Sequence, residues 1–251
     1  MLTYTTMIRP YFYILITSLL LVSCRSTSFE KSPVDELVRD MTNTPVYSII
    51  LYDMNEEGTL FKEYQHQYRI VKEDTAGGTP EEVVTDWYPV SEEFFARNID
   101  NMGMEIAAKN AEGEVSKTAA PPGYSNYVGN PQYGQWQQGS NGESFWSFYG
   151  KYALLSSLFN MTAFPVRRSY YDDYRGYRRS GRPYYGPTTN SGQRAYGTNS
   201  RYTTTAKPNT TWRSNPSSRA FRTSTQRTSR SGSRYGSGSS GMRSRGGGFG
   251  K

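Results

Sequence analysis

The chain has 251 residues and a net charge of +7. Leu, Ile, Val and Phe number 41, or 16%, below the roughly 20% that chains folded throughout exceed, which excludes one compact domain filling the whole length. The charge is also divided: residues 25–120 carry 9 basic and 19 acidic residues, 121–164 one of each, and 165–251 carry 18 basic and 2 acidic. An acidic body joined to a strongly basic arm is the pattern of a protein with an interaction segment.

At the N-terminus Arg9 precedes the apolar run Tyr11 to Val22. Twelve residues are too few to span roughly 30 Å of hydrocarbon as a helix but suit the apolar region of a signal peptide. The run ends Leu21-Val22-Ser23-Cys24, which resembles the lipobox of bacterial lipoproteins. That resemblance implies cleavage before Cys24, lipidation of its thiol and a cell-envelope location, with the membrane as partner through a lipid anchor. Two or more acyl chains hold stably where one binds only marginally. Cys24 is the only cysteine, so no disulfide forms in the mature chain. Arg25, where an Asp resembles an inner-membrane retention signal, favours the outer membrane.

Residues 1–23 therefore read as signal peptide and 24–43 as lipidated Cys and polar tether, within which Ser32-Pro33-Val34-Asp35-Glu36 resembles the start of a helix of at most two turns. Residues 44–120 read as an acidic α+β body. Val46 to Tyr52 is β-branched and aromatic, Asp53 to Gly58 reads as a turn, and Thr59 to Val71 resumes strand character with Leu60, Tyr64, Tyr68 and Ile70 on one face. Val83 to Tyr88 is a third strand stopped by Pro89. Ser91-Glu92-Glu93 opens a helix whose stripe Phe95, Ile99, Met102 and Ile106 lies on the sheet, ending at Glu112-Gly113-Glu114.

Residues 121–164 read as an aromatic-rich loop and helix packed on the body. Its Gly- and Asn-rich first part is irregular, while Ser144 to Asn160 carries Phe145, Phe148, Tyr149, Tyr152, Leu155 and Phe159 at helical spacing. Core packing, an interfacial membrane helix and a partner-binding helix are the three readings of that stretch. A polar face holding only Lys151 favours the core. Beyond residue 164 only three of 87 residues are Leu, Ile, Val or Phe, while Ser and Thr supply 26 and Gly 13. Residues 165–251 are accordingly expected to be a long disordered basic tail, since ordering costs roughly 1 to 2 kcal/mol per residue. The fold class expected is α+β, a small antiparallel sheet of two to three strands with one or two packed helices.

No residue set predicts catalysis, a cofactor or a metal. His66, the only histidine, sits in a strand pattern with no second ligand. The pairs Glu56-Glu57, Glu81-Glu82 and Glu92-Glu93 fall in expected turns or helix starts, where adjacent carboxylates do not face one another. Asp172-Asp173 lies among arginines and is expected to form local ion pairs. Gly-x-Ser-x-Gly and phosphate-loop signatures are absent.

The arm is the informative segment. Its 16 arginines against 2 lysines, interleaved with Tyr, Ser and Gly, resemble RGG and Arg/Ser-rich RNA-binding segments, whose guanidinium forks bind phosphate. An exported address argues against nucleic acid, and the same forks bind anionic lipid headgroups or envelope polymers. Arg167, Arg168, Arg175, Arg178, Arg179 and Arg182 are the candidate binding residues. Trp136 and Trp146 are candidates for stacking on sugar rings, the basis of an alternative reading as a carbohydrate-binding module or envelope enzyme. The charge split also supports an arm folded back on its own acidic body until a competing polyanion arrives.

Tyr127 to Trp136, Ser144 to Leu155 and Asp173-Tyr174-Arg175-Gly176-Tyr177 resemble bacterial envelope proteins, several of them lipoproteins with Gly/Ser/Arg tails. The resemblance implies no activity. It suggests that the aromatic region works with the start of the tail. The lipobox-like Cys24 and the charge split lead to the expectation of a non-catalytic structural or adaptor role, with an envelope protein complex as a further class of partner.

Overall fold

The structure is a computed structural model that describes residues 32–140, 142–189 and 192–218. Residues 1–31, which include Cys24 and the expected signal peptide, and residues 219–251 lie outside the described residues, so the expectations for them are not addressed by the fold.

Strand β1 (Val46–Glu57) is central in a five-stranded antiparallel sheet, flanked on one side by β2 (Glu63–Glu73) and β3 (Glu81–Val90), and on the other by β4 (Glu105–Lys109) and β5 (Val115–Ser116). The sheet is larger than the two to three strands expected. Strand β1 is buried on both faces, which is why its first half reads as a continuous apolar run rather than an alternating one. It also continues through Asp53 to Glu57, with a register shift between Leu51 and Asp53, so the turn falls later, around Gly58 to Lys62. Leu60, assigned to a strand face, stands at that tip 90% exposed, beside Phe61 at 75%. Strand β3 runs past Pro89, which would break a central strand; at the sheet edge no second ladder needs its missing N–H.

One face of the sheet, including Tyr47, Ile49, Leu51, Met54, Tyr68 and Ile70, packs beneath helices α1 (Pro33–Asp40) and α2 (Glu92–Asn98). Helix α1 is the two-turn helix expected, burying Val34 and Leu37. Helix α2 begins as expected, with the Ser91 hydroxyl accepting from the Phe94 N–H at 3.2 Å. It ends at Asn98, well short of the expected stop. Gly103 adopts φ +79°, its N–H donates to the Leu51 carbonyl at 2.8 Å, and the Leu51 N–H donates to the Met104 carbonyl at 2.9 Å. Pairing with β1 thus captures the second half of the expected helix as β4. Phe95, Met102 and Ile106 still enter one core, because both conformations direct them to the same face.

The opposite face, with Val46, Ile50 and Val71, is covered by an aromatic layer. The expected helix over 144–160 is not present. Ser144–Phe148 is a strand, β7, paired with β6 (Gly134–Gln138), and only Gly150–Tyr152, as a 3-10 turn, and Ala153–Leu158, as helix α3, are helical. Phe145, Trp146 and Phe148 favour strands once a partner is available. The partner is close because the Gly- and Asn-rich stretch, expected to be irregular, is a hairpin turn: the Gly139 N–H donates to the Glu143 carbonyl at 2.8 Å and Gly142 has φ +80°. Core packing is what the stretch provides, with Trp146, Tyr152, Leu155 and Phe159 all buried.

The largest correction concerns residues 165–218, expected to be disordered. They form helices α4 (Arg168–Arg179), α5 (Arg201–Ala206) and α6 (Thr211–Ser214), and they bury Tyr174, Tyr184, Tyr196, Tyr202 and Trp212. Tyr and Trp, absent from a count of Leu, Ile, Val and Phe, supply the apolar area that offsets ordering. The segment does lie on the acidic body, through packing as well as charge. Trp212 sits 5.5 Å from Phe95 between ring centroids, the Tyr184 N–H donates to the Ala119 carbonyl at 3.1 Å, and the Tyr185 hydroxyl donates to Asn101 Oδ1 at 2.8 Å.

Candidate functional site: an arginine flank beside an aromatic hairpin

The β6–β7 hairpin and helix α4 bring several of the expected binding residues together. The Trp146 N–H donates to the Val166 carbonyl at 2.9 Å, and Phe145 bridges to Arg167, so the chain entering α4 lies along β7. Arg168 thereby reaches Trp136, its guanidinium carbon 4.9 Å from the ring centroid, within cation–π range. Tyr171 lies 5.6 Å from the same ring.

Within α4, Arg168, Asp172, Arg175 and Arg179 are spaced four, three and four residues apart, which aligns them on one flank about 16 Å long at 1.5 Å rise per residue. All four are exposed. Arg168 Nε is 3.4 Å from Asp172 Oδ2, one of the local ion pairs expected. Arg175 and Arg179 have no acid within ion-pair distance among the described residues. A charge-assisted bond from a guanidinium is strongest with a planar or tetrahedral oxyanion, so this flank can hold an extended anion along its length.

The other candidates do not join it. Arg178 turns inward, its Nη1 donating to the Ser125 carbonyl at 3.4 Å, with Glu114 3.9 Å away. Arg167 pairs with Glu143 at 2.8 Å. Arg182 stacks on Tyr177, 5.0 Å from the centroid. Trp146, directly across from Trp136 with rings 5.2 Å apart, is 5% exposed and belongs to the core. A sugar-stacking platform of two tryptophans is therefore not what the hairpin presents; Trp136 alone is partly accessible.

Three acids are buried that no sequence motif marks as a group: Asp53, Glu73 and Glu105. Asp53 accepts from the Thr211 N–H at 2.8 Å, the Trp212 N–H at 3.3 Å and Lys207 Nζ at 3.3 Å, fastening α6 to β1. Glu73 accepts from the Gly77 N–H at 2.8 Å and the Tyr133 hydroxyl at 3.1 Å, and its burial raises its pKa. Glu105 is buried on β4, and desolvation pushes its carboxyl up to about 7. An acid inside a strand-like apolar run, as Asp53 is in Ile49-Ile50-Leu51-Tyr52-Asp53-Met54, is the one sequence signal that marks such a group. His66 is buried against Phe94 and Phe95 with Nδ1 3.2 Å from the Tyr68 hydroxyl, and burial lowers its pKa to about 3, which fits a neutral core residue. No helix among the described residues is long and apolar enough to cross a membrane.

Comparison with known proteins finds no matching family model, no matching curated protein and no matching solved structure.

Proposed function

We propose that the chain is a lipid-anchored protein of the bacterial cell envelope with a non-catalytic structural or adaptor role, held to the membrane through Cys24, and that its arginine face engages anionic envelope components. The observation that carries this is the α4 flank, where Arg175 and Arg179 stand exposed and without an acidic partner in line with Arg168. A rigid helix presents them at fixed spacing, so less side-chain and backbone entropy is lost on binding than from an unstructured arm.

The mature chain is expected to bind vesicles containing anionic lipid, or a soluble phosphate-bearing polymer, and to release them as salt rises. Contacts of this kind are screened within about 10 Å at 0.1 M salt. Replacing Arg168, Arg175 and Arg179 together by Gln should weaken binding at low salt by roughly tenfold or more, taking about 0.5–1 kcal/mol for each exposed contact, and flatten its salt dependence. Binding that ignores both salt and the triple substitution would overturn the assignment of the face. For the anchor, Cys24→Ala should abolish incorporation of a labelled fatty acid in cells and move the protein out of the membrane fraction; undiminished labelling would remove the lipid anchor.

A further inference from the structure

Glu105 is 1% exposed, and the groups that bond to its carboxyl or lie within bonding reach of it are neutral. Its backbone holds β4 to the following segment, donating to and accepting from Ala120 at 2.9 Å in each direction. Its Oε2 accepts from the Gly123 N–H at 3.4 Å, and the hydroxyls of Ser48 on β1 and Ser125 lie within bonding reach. Among the described residues its Oε1 makes no hydrogen bond, the Ser48 and Ser125 hydroxyls being engaged by Asn126 and Tyr174. Ser125 passes the contact on to α4, its Oγ 3.2 Å from the Tyr174 hydroxyl, while its carbonyl receives Arg178. Asn126, beside it, donates to the Tyr47 carbonyl at 2.7 Å and to Ser48 Oγ at 3.3 Å.

The titratable and charged groups facing this carboxyl are few. From α4 they are Tyr174 and Arg178, and from the turn after Gly123 the buried Tyr127, beyond which lies Glu73 of β2. Strand β1 contributes only Ser48. Arg178, the one cation near it among the described residues, is already engaged by the Ser125 carbonyl and by Glu114.

We propose that Glu105 is carried as a neutral carboxylic acid and acts as a proton-operated latch between the sheet, the 121–130 turn and helix α4. Deprotonation places a charge in a buried site served by one backbone N–H and by hydroxyls already engaged elsewhere, and Arg178 can approach it by leaving the Ser125 carbonyl, which pulls on the helix that carries the arginine flank. Proton loss therefore opens the layer and changes how the flank is held; this last step alone rests on the proposed role of that flank.

The sign follows from the direction of the shift. A carboxyl whose folded pKa lies above its unfolded value binds its proton more tightly when folded, so the contribution is complete below the ordinary carboxylate range, about 4.5, and is lost as pH rises through about 7. Hydrogen exchange of the mature chain, corrected for intrinsic rates, is expected to show about tenfold less protection at pH 8 than at pH 6 in 121–130 and 168–179, with α1 and α2 unchanged. Glu105→Gln, which mimics the neutral acid, should remove that pH dependence, while Glu73→Gln, altering the other buried acid nearby, should retain it. Infrared titration of the unmodified chain should show the band of a buried protonated carboxyl fading between pH 6 and 8, a readout that needs no variant to fold. Flat protection from pH 5 to 8, absence of that band, or an undiminished transition in Glu105→Gln would overturn the latch. Anionic-vesicle binding at pH 6 and 8 then tests the link to the flank. No binding at either pH would defeat the proposed surface and leave the exchange result standing; binding at both that ignores the Glu105 transition would defeat only the link.

Discussion

A chain ending at residue 164 is expected to lose cooperative unfolding, with a broad or absent thermal transition and enhanced binding of an apolar dye. Such a chain retains the whole sheet, yet it lacks Tyr174, Tyr184, Tyr196, Tyr202 and Trp212, which are all buried against it. Burying one large side chain contributes roughly 1.5 to 3 kcal/mol, so five of them approach the entire stability of a typical domain, about 5 to 15 kcal/mol. The faces left bare are apolar: Phe95 loses Trp212, and Tyr124 loses the four rings of Tyr171, Tyr174, Tyr184 and Tyr196 packed around it. A chain ending at Ser218 keeps every contact described above and is the reference for the comparison. Differential scanning calorimetry of the two truncations checks this. A sharp transition of the shorter one within a few degrees of the longer would mean that residues 165–218 are an appendage rather than part of the core.

Asp53→Ala should destabilise the protein by about 3 to 5 kcal/mol, the scale for removing one partner of a buried charged pair. Asp53 is almost wholly buried, and its two oxygens serve four donors: the N–H groups of Met54, Thr211 and Trp212, and Lys207 Nζ. Alanine leaves the first N–H groups of α6 unpaired and strands Lys207, whose ammonium lies 3.2 Å from the Tyr52 ring centroid with no other acid in ion-pair range among the described residues. Asp53→Asn keeps an acceptor for the backbone and loses the charge, so it should fall between the two. Urea midpoints followed by Trp fluorescence give the ordering directly. A loss under about 1 kcal/mol for alanine would show that Trp212 holds α6 in place without this carboxylate.

The sheet-forming part was legible because its signal is local. Val46 to Tyr52 and Tyr64 to Val71 carry β-branched and aromatic residues, and Ser91-Glu92-Glu93 caps a helix whatever follows. The places where structure departs from sequence pattern share a cause, which is competition between a local pattern and a distant partner. Phe95 to Ile106 fits helical spacing, but β1 needed a second neighbour, and Gly103 at positive φ permits the turn into it. Any Cβ at Gly103 would lie 2.4 Å from Thr203 Oγ1, a contact invisible without α5. Phe145 to Tyr149 satisfies both periods, and the hairpin with β6 decided between them. Of the candidate site, the types of residue were legible but not their grouping. Six arginines between 167 and 182 read as equivalent, and only the pitch of α4 with its burial separates Arg168, Arg175 and Arg179 from the inward Arg178.

Composition by itself determined that the charge is divided between an acidic body and a basic arm, and that Cys24 stands alone after an apolar run of signal-peptide length. Those are counts and short-range patterns, and folding does not alter them. The tertiary structure decided where the body ends. Half of the arm's excess charge, ten basic and two acidic residues in 165–218, belongs to a folded layer, because tyrosine rings bury as much area as leucines do while keeping a polar atom that composition counts as a reason to stay in water.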